Sequence, residues 1–280
     1  MFSDVLLTVD FDRTLTAPDS TIPQRNLEAI RYFMECGGTF TVNTGRSIPT
    51  SANNIIGNVP VNAPLLLYNG SADYDTQTCQ FTRIVPLPFD RNAFLRELQE
   101  QFPDLRAEEQ GVDAHYLICR DPGWEAYCEN SRCRWSYDFS DTPFIKAALY
   151  GQFRDNTVAS MYESTEEELA LFRRAIAYIT EKYGHQVELF RACPRILDIH
   201  AKGVSKGIAA RSLQKQLGKK ILVCVGDAEN DIAMLDSADY AFCPADGIVA
   251  DRYENVCKCA DGAVADVIYK KIPKILHIQP

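Results

Sequence analysis

No stretch of the 280 residues is apolar for long enough to span a bilayer, and none is compositionally simple or repeated. Membrane insertion, disorder and repeat architectures are therefore not expected. The N-terminus lacks a basic segment, an apolar signal core and a cleavage site, because the strand-like VLLTVDFD begins at residue 5. The expected location is the cytoplasm. Positive charge is scarce too: with a net charge of -9 and a pI near 5.0, a nucleic-acid or anionic-membrane surface built on Lys and Arg clusters is not expected. The 10 cysteines include no CxxC pair. Cys257 and Cys259, with His277 the nearest histidine, make at most a faint metal half-site, and reduced, buried thiols are the better reading. His115, His185 and His200 lack any mutual spacing that would make a metal site or triad, and read as structural.

What is present is the balance of a soluble protein, 46% hydrophobic and 24% charged, at a length that suits a core carrying a second lobe. An apolar run over 5–9 ends abruptly in Asp10-Phe11-Asp12, as a buried parallel strand does where its carboxyl end opens onto a site. A helix follows, with Ser20 or Thr21 as cap, Pro23 in its first turn and Leu27, Ile30 and Met34 on one face, until Gly37-Gly38 stops it. A strand over 39–43 exits at Thr44-Gly45-Arg46, a short helix is expected over 52–56, and a strand over 65–68 ends at Asn69-Gly70.

Beyond about Thr82 the pattern changes, with Pro86 and Pro88 punctuating a linker. The second lobe carries a helix over 92–101, strands over 115–119, 134–139 and 145–150, and a helix opened by Ser164 and Glu167 as a capping box and stopped at Gly184. Trp124, Tyr127, Trp135, Tyr137 and Phe139 read as sheet packing in preference to a substrate-facing surface. A strand near 195–199 returns the chain to the first lobe. A helix after Gly203 and a strand over 221–225 follow, then a helix carrying Asn230 and Asp231. The expectation is an α/β fold, a parallel sheet interrupted by an α+β insertion: core at 1–84, insertion at 85–193, core again at 194–280.

Asp10 with Asp12, Thr44, Lys206, and Asp227 with Asp231 fall at or just beyond apolar strand ends, which in an open α/β sheet share one edge. Carboxylates gathered there repel unless a cation neutralises them, and Mg2+ prefers such hard oxygen ligands. Taken singly, each feature is ordinary turn or cap chemistry. Together and in order they are specific.

DFDRTLT at 10–16, TGR at 44–46, VSKG at 204–207 and GDAENDIAML at 226–235 resemble the four ordered motifs of the haloacid dehalogenase-like superfamily. The TGR form, Asn69-Gly70 and the large insertion resemble its Cof-type, class IIB branch. The resemblance implies a Rossmann-like core with a C2-type cap, and a Mg2+-dependent phosphatase acting on a small phosphorylated metabolite such as a sugar phosphate, through an aspartyl-phosphate. It implies Asp10 as nucleophile and metal ligand, Asp12 as acid and then base with its carbonyl on the metal, and Lys206 and Thr44 as electrostatic clamps. It implies Asp227 and Asp231 as metal ligands, Asn230 as a positioning group, and Gly45, Arg46 and Asn69 as phosphate or substrate contacts. The family usually has glycine where Arg13 stands. Two other readings are a phosphomannomutase-like mutase, against which the TGR motif speaks, and a weakly catalytic binding protein of the same fold, suggested only by Arg13.

Overall fold

Runs such as Val5–Val9 and Ile221–Val225, apolar at nearly every position, make strands buried on both faces, and such strands assemble into parallel sheets covered by helices. The computed structural model describes residues 1–51, 54–151 and 164–278. They form two units: Met1–Gly45 with Gly57–Arg83 and Ser205–Pro280, and Arg46–Ile56 with Ile84–Val204.

In the first unit, β1 (Val5–Val9), β2 (Thr39–Val42), β12 (Ile221–Val225), β13 (Tyr240–Pro244) and β14 (Glu254–Val256) form a five-stranded sheet in the order β14-β13-β12-β1-β2. Every pairing in it is parallel. Val9 stands opposite both Val42 and Val225, so β1, β2 and β12 end in register, and the next residues Asp10, Asn43 and Gly226 line one edge. The chain turns to opposite sides of β1 before and after the insertion, which makes this edge the topological switch point where ligands bind in open α/β sheets. β3 (Leu65–Leu67) joins β2 through an isolated bridge between Asn43 and Leu66, and pairs with β4 (Ala72–Asp75), itself beside β5 (Gln80–Ile84). Helix α1 (Gln24–Glu35) buries Asn26, Ala29, Ile30 and Phe33. Helices α6 (Lys206–Gln216) and α7 (Ile232–Ser237) pack Ala209, Ala210, Leu213, Met234 and Leu235 with Leu6, Leu222 and Cys224 of the sheet.

The second unit is a six-stranded sheet in the order β10-β11-β9-β6-β7-β8, made of β6 (Arg106–Gln110), β7 (His115–Leu117), β8 (Trp135–Ser136), β9 (Ala147–Tyr150), β10 (Val187–Cys193) and β11 (Ile196–Ala201). Helices α3 (Arg91–Gln101) and α5 (Glu166–Tyr183) bury Phe94, Leu95, Leu98, Phe172, Ala175 and Ile179 against one face, contributed by Ala107, Ala147, Leu149, Leu197 and Ile199. Helix α4 (Pro122–Asn130) has its own cluster of Leu117, Trp124, Cys128 and Cys133, with Trp135 and Tyr137 packed against it.

Several sequence expectations are corrected. The short helix is α2 (Ile48–Ser51), because Ser47 accepts from the Thr50 amide at 3.4 Å and Pro49 suits a first turn; of the expected 52–56, Ala52 and Asn53 lie outside the described residues and 54–56 is a turn. Helix α1 starts one residue after Pro23 without a side-chain cap, while Thr21 bonds Asp19 instead. The capping box of α5 is Thr165 with Glu168, one residue later than Ser164 and Glu167. Trp124 and Tyr127 are on a helix, whose start is marked by Asp121 accepting from the Gly123 and Trp124 amides and by Pro122 in the first turn. Strand β11 pairs antiparallel with β9 and β10, so the chain re-enters the first unit at Ser205 and not at residue 194. An apolar strand carries no mark of which sheet will take it.

Candidate active site

The edge formed by the ends of β1, β2 and β12 is stitched by backbone bonds that continue the sheet. The Asp10 amide donates to Val225 at 2.9 Å, the Asn43 amide to Val9 at 2.8 Å, and the Thr44 amide to Leu66 at 2.8 Å. Asp10 and Thr44 are thus fixed by sheet bonds and not by loops.

After Asp10 the chain turns sharply, and Arg13 takes the left-handed conformation, with φ 58°. A residue with a Cβ is strained there and glycine is not, which accounts for glycine being usual at this position. Arg13→Gly is expected to stabilise the protein by about 0.5–1 kcal/mol, the relief of about 1–2 kcal/mol of strain less the entropy that glycine loses on folding. A urea midpoint that falls at unchanged m-value would show instead that the guanidinium contributes more than the strain costs.

Lys206 opens α6, with Ser205 as its cap, accepting from the Ile208 amide. Its ammonium is fully buried and donates to Asp10 Oδ1 and to Asp231 Oδ1, each at 2.6 Å. The Asn43 side chain holds the Lys206 carbonyl at 2.9 Å. The other oxygen of Asp231 accepts from the amides of Asp227 and Ala228 at 3.0 and 3.1 Å. Asp231 is therefore gripped from two sides, an anchor for Lys206. A Cβ on Gly226 would lie 2.6 Å from the Asp231 Cβ, so the residue before Asp227 has to be glycine for this grip to form. Thr14 donates to Asp227 Oδ1 at 3.0 Å.

Opposite them, Tyr68 and Asn69 both adopt left-handed backbone, with φ 54° and 52°. This aims Asn69 Oδ1 at the Asn230 amide, 3.3 Å away, and close beside Gly45. Two consecutive strained residues of this kind are held by their surroundings and are typical of functional sites.

Asp10, Asp227 and Asp231 are buried, and one oxygen of each lies within 4.8 Å of the others. Burial pushes the Asp10 carboxyl well up; Lys206 opposes this, and Asp231, Asp227 and Asp12 reinforce it. Burial, then the Asp231 charge, pushes Asp227 up to about 7 against the pull of Thr14, Lys206 and Arg13. Lys206 stays firmly charged, since Asp10 and Asp231 outweigh its desolvation. One buried ammonium does not balance this many carboxylates, and a hard divalent cation with oxygen ligands fits the excess.

The sequence-predicted residues of the first unit thus meet at one edge: Asp10, Lys206, Asp227 and Asp231 in direct contact or at ligand distances, with Asn69 bonded to Asn230 and Gly45 beside it. Asp12 is half-buried three residues beyond the strand end. Arg46 belongs to the second unit, where it donates to the Thr50 carbonyl at 3.3 Å. Sequence reasoning missed three supports. Thr14 stood inside the first motif, and Gly226 preceded Asp227; Asn43 carried no signal beyond being a polar residue at a strand end.

A family model described as haloacid dehalogenase-like hydrolase matches residues 7–266. The 5-amino-6-(5-phospho-D-ribitylamino)uracil phosphatase YitU of Bacillus subtilis is 21% identical over 250 residues, 88% of each chain. The HMP-PP phosphatase of Klebsiella pneumoniae is 23% identical, covering 85% of this chain and 82% of its own. Among solved structures, a haloacid dehalogenase-like hydrolase from B. subtilis superposes with a TM-score of 0.76 at 15% identity over 95% of this chain and 99% of that one. Another from Bacteroides thetaiotaomicron gives 0.74 at 19% identity, over 94% and 97%. These structural likenesses bear on fold. With the family model spanning nearly the whole chain and both strands and motifs in their expected order, the protein belongs to the haloacid dehalogenase-like hydrolase family and is an enzyme of the phosphoric monoester hydrolase class.

Proposed function

We propose that this hydrolase is a Mg2+-dependent phosphatase that removes phosphate from a small cytoplasmic metabolite through an aspartyl-phosphate on Asp10. The observation that carries the reading is the convergence of Asp10, Asp227 and Asp231 around the buried Lys206 ammonium at the switch point of the sheet. Relatives that act on a ribitylaminouracil phosphate and on HMP-PP support the substrate class.

Asp10, Asp227 and the Asp12 carbonyl would hold the cation, with Asp231 one step further out because both its oxygens already have partners. Bound Mg2+ would supply charge neutralisation at the phosphoryl oxygens. An oxygen of Asp10 attacks phosphorus in line with the ester oxygen, which leaves as Asp12 protonates it. Asp12 then takes a proton from water, whose oxygen attacks the same phosphorus and releases Asp10. The Lys206 ammonium, tied to Asp10 at 2.6 Å, offsets charge on both nucleophile and phosphoryl group, and Thr44 and Gly45 bind phosphoryl oxygens. Asn69 and Asn230, bonded to each other, and Arg46 serve as substrate contacts.

The test is Asp12→Asn with p-nitrophenyl phosphate and Mg2+. That leaving group departs without an acid, so Asp10 should still be phosphorylated, while hydrolysis slows by about 10²- to 10⁴-fold. Rapid mixing should show a p-nitrophenol burst near one equivalent of enzyme and then a slow steady state, and chelation of Mg2+ should abolish both phases. Phosphate released as fast as p-nitrophenol would rule the dual role of Asp12 out.

A further inference from the structure

A second convergence of metal-binding side chains lies within the second unit, far along the chain from every motif above. Its parts are set by ordinary register. Gln110 stands opposite His115 and Glu108 opposite Leu117, so Glu108, Gln110, His115 and Leu117 share one face of the β6–β7 pair. Trp124 and Cys128, four residues apart on α4, pack on Leu117 with Cys133. The chain then doubles back: the Cys133 amide donates to Cys128 at 2.8 Å, and the His115 amide to Arg134 at 2.9 Å, which seats β8 beside β7.

The result is a buried set of His115, Cys128 and Cys133 whose ligand atoms all lie within 4.8 Å of one another. In a tetrahedral zinc site, metal–ligand distances of about 2.0–2.3 Å put neighbouring ligand atoms about 3.3–3.8 Å apart, so a small contraction completes the geometry. His115 Nε2 is engaged by Ser47 Oγ at 2.7 Å, the kind of outer hydrogen bond that fixes a ligating imidazole and leaves Nδ1 for the metal. Glu108 Oε1 is 3.7 Å from Nδ1, at the edge length expected of a fourth ligand. Glu108 is itself oriented by Gln110 at 2.9 Å and by the Trp124 indole N–H.

We propose that Cys128, Cys133, His115 and Glu108 bind a structural Zn2+ that ties α4 and the chain after it to β6 and β7. Two thiolates with an imidazole favour zinc over the hard Mg2+ expected at the carboxylate site. The donor set is closed and lies against Leu117 and Trp124, as a structural site requires.

The experiment uses the untagged full chain loaded with Co2+ in excess Mg2+, so that the carboxylate site is occupied. The expected result is one equivalent of Co2+ with a thiolate-to-metal charge-transfer band and intense tetrahedral d–d bands, bleached by Zn2+. Both Cys128→Ser and Cys133→Ser should lose the charge-transfer intensity and Asp10→Asn should keep it. Should the serine variants misfold, X-ray absorption of the zinc-loaded wild-type chain reads the same point, two sulfurs at about 2.3 Å from zinc. An all-oxygen-and-nitrogen shell, or a Cys128–Cys133 disulfide in protein isolated with zinc and its thiols blocked, would overturn the proposal.

Discussion

Asp10→Asn is expected to fold normally and to lose at least about 10⁴-fold in kcat/KM, the scale on which removal of a covalent nucleophile is felt. An amide is neutral and does not attack phosphorus. The structure adds a second, opposite effect. Asp10 is buried with its carboxyl pushed well up by desolvation and by Asp231, Asp227 and Asp12, so its charge destabilises the metal-free fold. The asparagine Oδ1 can still accept from Lys206, which donates to Asp10 Oδ1 at 2.6 Å in the native protein. The variant should therefore melt higher than wild type in chelator while turning over nothing. Near-normal turnover would remove Asp10 from the chemistry, and a lower melting point would mean that its carboxylate stabilises the fold.

Lys206→Met should have the largest effect on stability. The methionine fills comparable volume, but Asp10 and Asp231 lose their shared partner in a place with no exposure to water. Breaking a buried ion pair from one side costs about 3–5 kcal/mol. The cost should depend on pH with a definite sign. Asp227, at about 7, and Asp10, also raised, hold protons in the folded state at pH values where the unfolded chain has released them. Stability tied to these groups therefore falls as pH rises through that window and recovers as pH falls. Urea denaturation of the metal-free variant should show the full loss at about pH 8 and much less at about pH 6. An equal loss at both values would show that these carboxylates do not change protonation in this window. Turnover should be lost at either pH, because the phosphoryl charge has no ammonium to meet it.

The residues at strand ends were legible because their chemistry and their position are both set locally. An apolar run that stops at a carboxylate states where the strand ends, and the parallel register then places Asp10, Asn43 and Gly226 side by side without further information. Supports that depend on shape were not legible. That Gly226 leaves room for Asp231, or that Asn69 is aimed by two left-handed residues, follows from packing that no spacing rule encodes. The second unit was read less well. Strand β8 is two residues long and carries no clear alternation, and the same holds in the first unit for the half-exposed β4 and β5. Helix α4 announced itself only through Asp121-Pro122. Histidine spacing alone leaves His115 as a structural residue. Its partners are cysteines brought to it by a hairpin register and a helix turn, and the Cys257, Cys259 and His277 set is not one of the two converging groups among the described residues.

The most direct test of the account is to find the phosphoryl group on the enzyme. Asp12→Asn, mixed with p-nitrophenyl phosphate and Mg2+ and quenched during the burst, should carry an acyl phosphate that borohydride reduces to homoserine. Peptide mass spectrometry should place that homoserine at position 10 and leave positions 12, 227 and 231 unmodified. A burst with the phosphate on any other residue, or a burst that leaves residue 10 an unaltered aspartate, would contradict the assignment of Asp10 as the nucleophile.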